Sequence, residues 1–445
     1  MTLYVFGFIL VFLLVFFSGL PIGFGLGILG LGILTAYAGP STALSVGIEK
    51  AYAALNTDVL VAIPLFVFTA QLISATGMGK RLFDAAKAFM GGYRSGLGAA
   101  TIVSSGVFAA MTGSSAVSAV TMGLIVIPEL RKAKYSDTLI SAAIASGGSL
   151  GAVIPPSLVL IIYGFLTNES IGKLFMAGVI PGIILIILYC IAIDLMFRFS
   201  KRTDTSEPVT TSGAAAAVQE QPQETPQMSR LEALKQAFWG LLAPVIIIGG
   251  LYIGVFTANE AAAIAVVYCI FIGFFVYKSL TLKSFWDVVM SSTSFTSLVA
   301  LIIIGGAMLS QGCVFGRIPQ QILEFIIAKN MHPYLLFALV LLFLFILGMF
   351  MESVSLMYLA IPLLYPVVLH MQWDNIWFSM MLLINVNLGL ITPPMGGILY
   401  IIAQIGGIPF ETTVKGAFMP IIVLIITMLL IILFPPIATW LPSLM

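Results

Sequence analysis

The chain is short of charge. Only 8% of its 445 residues are Asp, Glu, Lys or Arg, against 60% hydrophobic residues, and its mean hydropathy is +1.13. A water-soluble fold of this length could not cover so much apolar surface, and a helical protein that crosses the membrane many times is the class left standing. Short alternating apolar and polar segments are missing as well, which excludes a membrane β-barrel. Cysteine is scarce: Cys190, Cys269 and Cys313 lie singly inside apolar runs, with neither metal-ligand spacing nor a disulfide framework. The net charge of +1 points to no nucleic-acid or acidic partner. The N-terminus has no basic stretch before its apolar run, so a retained first helix is expected rather than a cleaved leader.

Two catalytic signatures fail on inspection. "SATGMGKR" (74–81) approaches a phosphate-binding loop but has Ser74 in place of the first Gly and Arg81 in place of Ser or Thr, which argues against an ATP-driven pump. "GGSLG" (147–151) matches the serine-hydrolase elbow, yet that motif requires a strand-to-helix turn and this one lies in an apolar run. A channel would require repeated filters or a symmetric ring.

Apolar runs of spanning length fall near 3–20, 22–38, 57–76, 137–165, 173–197, 238–256, 259–277, 285–312, 377–404 and 416–440. Two further regions, about 95–130 and 333–369, are long enough to enter the membrane and return, each with a small or polar group at its middle. The expected architecture is an all-α integral membrane protein of about ten transmembrane helices, two re-entrant hairpins and two broken helices. The polar stretch 200–232, rich in Ser, Thr, Pro and Gln, reads as a disordered linker between a first half, 1–199, and a second, 233–445. Lys and Arg on both sides of it place it in the cytoplasm. Trp239, Trp286, Trp373, Trp377 and Trp440 fall near expected helix ends and suit interfacial anchoring.

The halves repeat. "LGAVIPPSLVLIIYG" (150–164) aligns with "LGLITPPMGGILYII" (388–402), proline pair on proline pair, at an offset of 393 − 155 = 238. The same offset carries Pro128 onto Pro366, Gly178 onto Gly416 and "TGSS" (112–115) onto "FMES" (350–353). The two copies start on opposite sides of the membrane, and paired broken helices in inverted repeats point to a secondary transporter and to where it binds ions and substrate.

Proline removes a backbone donor and clashes with the preceding turn, so each pair breaks its helix. The freed groups must face protein or a water-filled cavity. Ser146, Ser149, Ser157 and carbonyls near Ile154 surround the first break; Asn385, Asn387 and Thr392 surround the second. The hairpin tips add Ser114 and Ser115 on one side and Glu352 and Ser353 on the other. Such oxygens suit a hard cation, and half-helix N-termini suit an anion. Hydroxyls in membrane helices also bond back to their own helix, and glycines such as Gly147, Gly148 and Gly151 also serve close packing, so the case rests on the constellation occurring twice. Glu352 stands apart as an ionisable residue at membrane depth.

These residues carry a family resemblance. "GGLYIGVFTANEAAAIAVVYCIFIGFFVY" (249–277), with "IPPS", "TPP", "TGSS" and "GMFMES", resembles the large membrane subunit of tripartite ATP-independent periplasmic (TRAP) transporters over nearly the whole chain except 200–232. One departure is "TANE" (257–260), where a second Thr or Pro-Thr is expected before the Glu and where Asn259 would cap the helix. The resemblance implies an elevator-type transporter of the inner membrane, not an enzyme, in its unfused form, with no cofactor and sodium as coupling ion. Its implied partners are a small membrane subunit and a periplasmic binding protein that delivers an organic acid anion, such as a dicarboxylate, sialic acid or another sugar acid. It further implies one sodium site at Ser114, Ser115, Ser149 and Ile154 and another at Glu352, Ser353, Asn387 and Thr392, with substrate near Pro155, Pro156, Ser157, Pro393 and Pro394. A sodium-coupled anion transporter that works without a binding protein is the alternative. Deleting most of 205–225 is expected to leave uptake by vesicles nearly intact; severe loss at normal expression would show that the linker takes part.

Overall fold

The computed structural model describes residues 19–92, 95–199 and 229–445, and every regular element among them is helical. The run 3–20 lies almost wholly outside the described residues, as does most of the linker. The soluble stretch ends earlier than expected. Helix α10, Arg230–Tyr252, starts at a capping box in which Ser229 and Glu232 bond each other's backbone N–H groups. Capping also corrects the "TANE" reading. Thr257, not Asn259, caps helix α11, Ala258–Phe271, in a box closed by Glu260.

In the first half, α1 (Ile22–Ala38) and α2 (Pro40–Leu55) precede α3 (Ala62–Ala75) and a short connector, α4 (Met78–Met90). The first hairpin is α5 (Gly96–Thr112) and α6 (Ser115–Lys132). The first broken helix is α7 (Asp137–Val153) and α8 (Leu158–Thr167), followed by α9 (Ile171–Phe199). In the second half, α10 and α11 lead to α12 (Leu282–Phe315) and a connector, α13 (Ile318–Ala328). The second hairpin is α14 (Pro333–Gly348) and α15 (Ser353–His370); the second broken helix is α16 (Asn375–Leu390) and α17 (Gly397–Gly406); α18 (Phe410–Leu433) follows. Helices α6 and α15 are each 18 residues long and start 238 apart, at 115 and 353. Helices α8 and α17 are each ten residues long.

Among the described residues, seven helical segments are long and apolar enough to span a bilayer, with α7 and α8 taken as one, or eight when α3 and α4, bent by 62° at their joint, also count as one. The count is not that of the ten runs read from the sequence: the run 3–20 lies outside the described residues, the hairpin arm α15 is one of the seven, and the remaining differences are local. The break leaves α16 and α17 short at 16 and 10 residues, and α1 stops at 17. The run 285–312 is in fact a 34-residue helix, α12. At 1.5 Å per residue it is about 51 Å long, well beyond the ~30 Å hydrocarbon thickness.

The broken helices form the centre. Every residue from Leu139 to Val153 of α7, and from Phe378 to Gly389 of α16, is buried. Helix α7 packs against α5, α6 and α18, while α1 lies along α12. That outer pair touches through glycine: a Cβ on Gly305 of α12 would overlap the carbonyl of Gly23 in α1. Small residues let membrane helices approach where no hydrophobic effect drives them together. Gly305→Ala is therefore expected to cost about 1–3 kcal/mol through overpacking. Gly249→Ala, in α10 with open space around it, serves as the control. Thermal unfolding in detergent checks this: a midpoint that falls for the first and holds for the second is the expected result.

Candidate functional site

Both hairpins turn against proline breaks. Helix α5 ends at Gly113, which is left-handed at φ 61°, and a Cβ there would strike the Pro156 carbonyl. Glycine is required twice over, for the turn and for the approach. The Leu158 N–H, freed by the break, donates to the Gly113 carbonyl at 3.3 Å. Ser114 caps α6 by accepting from Val117 N at 3.5 Å. From the other side, a Cβ on Gly151 would come within 2.6 Å of the Ser114 carbonyl. In the second half, Gly389 meets Gly348 so closely that a Cβ would overlap it, and Glu352 caps α15 by accepting from Val354 N at 2.9 Å. Both proline pairs, Pro155–Pro156 and Pro393–Pro394, are cis.

Between the tips lies a cavity of about 320 Å³. Its polar lining comes from Ser114, Ser115, Glu352 and Ser353; its apolar walls include Phe295 of α12, Phe350, Met395, Ile401 and Tyr400. Four helix N-termini reach it, those of α6 at Ser115, α8 at Leu158, α15 at Ser353 and α17 at Gly397. Each N-terminus carries roughly half a positive charge. The lining holds one carboxylate, Glu352, and no Lys or Arg.

The sequence-predicted residues divide. Ser114, Ser115, Glu352 and Ser353 line the cavity together. Ser115 Oγ donates to Asn387 Oδ1 at 3.3 Å, so a first-half tip bonds the second broken helix, a pairing that the offset of 238 did not predict. Asn387 Nδ2 donates to Leu383 O at 2.9 Å. Ser149 is turned elsewhere: its hydroxyl donates to Ser146 O at 2.8 Å and lies 2.8 Å from the Tyr189 hydroxyl of α9. Thr392 Oγ1 bonds back to Leu388 O at 2.5 Å. The Ile154 side chain packs toward Gly106 of α5 and Gly182 of α9. Ser146 bonds Ala142 O at 2.7 Å, and Asn385 Nδ2 donates to Leu341 O at 3.1 Å. Pro155, Pro156 and Ser157 are buried behind the wall, with Ser157 Oγ unpartnered, whereas Pro394 is exposed beside Met395.

Phe295 and Tyr400 were missed. Tyr400 stacks on Phe410, ring centroids 4.4 Å apart. Nothing in "SFTS" distinguishes Phe295 from any other lipid-facing aromatic; only the packing of α12 against α15 brings it to the cavity.

Known proteins agree with this picture. Residues 8–437 match the family described as "Tripartite ATP-independent periplasmic transporter, DctM component". The chain is 34% identical to the sialic acid TRAP transporter large permease protein SiaM of Vibrio cholerae, over 96% of each chain. It is 31% identical to the C4-dicarboxylate large permease DctM of the same organism, over 96% of this chain and 95% of that one. It is 29% identical to the 2,3-diketo-L-gulonate large permease YiaN of Escherichia coli, over 85% and 84%. Among solved structures, the Alcanivorax borkumensis YdaH transporter superposes with a TM-score of 0.65 over 91% of both chains at 10% identity, which shows a shared fold. Match length, identity and fold together place the chain in the DctM family, as a large, multi-pass inner-membrane permease of tripartite ATP-independent periplasmic transporters.

Proposed function

We propose that this permease carries an organic acid anion inward on a sodium gradient, and that a periplasmic binding protein hands it the substrate. A small membrane subunit would complete the scaffold. The three relatives above are named for sialic acid, C4-dicarboxylates and 2,3-diketo-L-gulonate, all organic acid anions. The observation that carries the reading is the cavity, where four helix N-termini and the oxygens of Ser114, Ser115, Ser353 and Glu352 converge without a basic side chain. An anion there is met by helix dipoles, and a cation by hydroxyl and carboxylate oxygen.

In this reading the hairpins and broken helices move as one unit past a scaffold that includes α1, α2 and α12. Phe295 is then a scaffold wall against which the mobile cavity slides. One sodium ion sits at the first tip, held by Ser114, Ser115 and carbonyls near Ile154; Ser149 joins it only by turning from Tyr189. A second sits at the other tip with Glu352, Ser353, Asn387 and Thr392. Ser115 bonds Asn387, so filling either site is felt at the other.

Uptake by proteoliposomes with the binding protein present tests the coupling. Transport is expected to stop when the sodium gradient is removed; equal rates without it would sink the reading. Transport at full rate without the binding protein would instead favour the stand-alone alternative. Losing one ligand oxygen to a charged group costs about 1.5–3 kcal/mol, so Ser115→Ala should raise half-saturating sodium by roughly 10- to 100-fold. Thr392→Val should weaken it less, because that hydroxyl already bonds Leu388 O. Glu352→Gln keeps an acceptor for the Val354 N–H while removing the charge, so the sodium dependence is expected to shift with the unfolding temperature unchanged. Sodium activation curves that stay put in all three variants would reject the assignment.

A further inference from the structure

The joints that lead into the two hairpins are built to one plan. Helix α3 meets connector α4 at Thr76–Gly77, and α12 meets connector α13 at Gly316–Arg317. The second residue of each joint is left-handed, Gly77 at φ 69° and Arg317 at φ 52°. The first donates to the carbonyl four residues back, Thr76 N to Leu72 O at 2.9 Å and Gly316 N to Gly312 O at 2.8 Å. The left-handed residue donates three back, Gly77 N to Ser74 O at 3.4 Å and Arg317 N to Val314 O at 3.0 Å. In both, a side chain one turn into the connector reaches back over the joint. Arg81 Nη1 donates to Thr76 O at 3.0 Å and Gly77 O at 3.2 Å; Gln321 Nε2 donates to Gly316 O at 3.1 Å. Equivalent positions are 316 − 76 = 240 and 321 − 81 = 240 residues apart.

Around this plan the joints differ. The Thr76 carbonyl also accepts from Ser279 Oγ at 3.0 Å. The Arg81 guanidinium lies 3.8 Å from the centre of the Tyr277 ring, and the Tyr277 hydroxyl donates to Gln236 O of α10 at 2.9 Å. Ser279 and Leu280 are brought there by a turn whose N–H groups bond Gly273 O at 3.0 and 3.2 Å, where a Cβ on Gly273 would collide with Leu280. The first joint is therefore tied to α10 and to the turn after α11. Its two Arg81 bonds are charge-assisted, stronger than a neutral amide bond, and are backed by the cation–π contact and the neutral Ser279 bond. At the second joint, among the described residues, the Gln321 amide bond is the side-chain bond that crosses it. Arg317 is exposed and non-glycine in a left-handed conformation that its own Cβ crowds.

We propose that the joints are unequal hinges: the α3–α4 joint is a clamped pivot, with Arg81 as its positioning residue, and the α12–α13 joint is the one that yields. That this asymmetry serves transport rests on the moving-unit reading; the difference in stiffness does not. Hydrogen exchange of the full chain in nanodiscs, read on peptides spanning 72–82 and 312–322, tests it. The first peptide is expected to exchange roughly tenfold more slowly than the second, the scale of one charge-assisted bond against one neutral bond. Arg81→Met should remove that protection and leave 312–322 unchanged. Arg81→Lys, which keeps the charge but not the flat fork over Tyr277, should restore little. Tyr277→Leu carries the same test should Arg81→Met fail to fold. Equal exchange of the two peptides in the parent protein, or protection of 72–82 that survives both Arg81→Met and Tyr277→Leu, would overturn the proposal. In sodium-driven uptake, Arg81→Met should change the maximal rate and leave half-saturating sodium in place. Exchange that follows the expected pattern with no transport in any variant would fault the moving-unit reading and leave the clamp standing.

Discussion

Hydrocarbon offers no hydrogen-bond partner to an open backbone, and the rest of this fold depends on how two helix breaks meet that constraint. The first break is mostly covered, with Pro155, Pro156 and Ser157 buried. Gly113 of the hairpin tip takes the freed Leu158 N–H, and Gly178 of α9 sits so near Val153 O and Pro155 that a Cβ would reach the carbonyl at 2.6 Å. The second break is open: Pro394, Met395 and Gly397 are exposed beside the cavity. A hairpin in this protein is therefore a cover for a break as well as a fold of its own. The glycines at 113, 151, 348 and 389 let cover and break approach at backbone distance.

The same constraint frames the charge logic of the cavity. Four N-termini supply diffuse positive potential, and Glu352 is the one carboxylate in the lining. In the proposed cycle a carboxylate substrate arriving beside Glu352 would be repelled, unless a cation stands between them. Sodium bound first at the tips would, in that proposal, offset the carboxylate before the anion enters. Coupling of that kind would need no dedicated basic residue, because ion and substrate would stabilise each other's presence in one cavity. A fixed arginine would hold the substrate as tightly after the ion leaves as before, and release would suffer.

Much of the fold was legible in the sequence, because proline and hydropathy act locally. The pairs at 155–156 and 393–394 mark the breaks, and the hairpin ends fall within a few residues of the expected limits. Side-chain direction was not legible. Ser149 and Asn387 are repeat partners by position, yet one turns to Tyr189 and the other to Ser115. Gly178 and Gly416 also share the offset of 238 and do different work: Gly178 packs on the first break, whereas Gly416 packs on Thr138 and Ser141 in the first turns of α7. Position in a repeat sets where a residue sits on its helix. Which neighbour that face meets depends on how the halves interlock, and that is set by contacts hundreds of residues apart.

That interlocking also explains why the two halves could diverge without losing the architecture. A pair of identical halves would place identical tips around the cavity, two hydroxyls facing two hydroxyls. Here Ser114 corresponds to Glu352, and Ser149 to Asn387, so each half offers a different donor set. Part of the divergence falls on residues that face the cavity or make a cross-half bond. Gly151 with Gly389, and Pro155–Pro156 with Pro393–Pro394, are kept in both copies, whereas Gly113 faces Met351 and Gly348 faces Ala110 at the same offset. Backbone satisfaction at membrane depth allows no substitute at those positions, whereas a cation accepts hydroxyl, amide or carboxylate oxygen alike. The halves therefore differ where chemistry is chosen and agree where the two helices break inside the membrane.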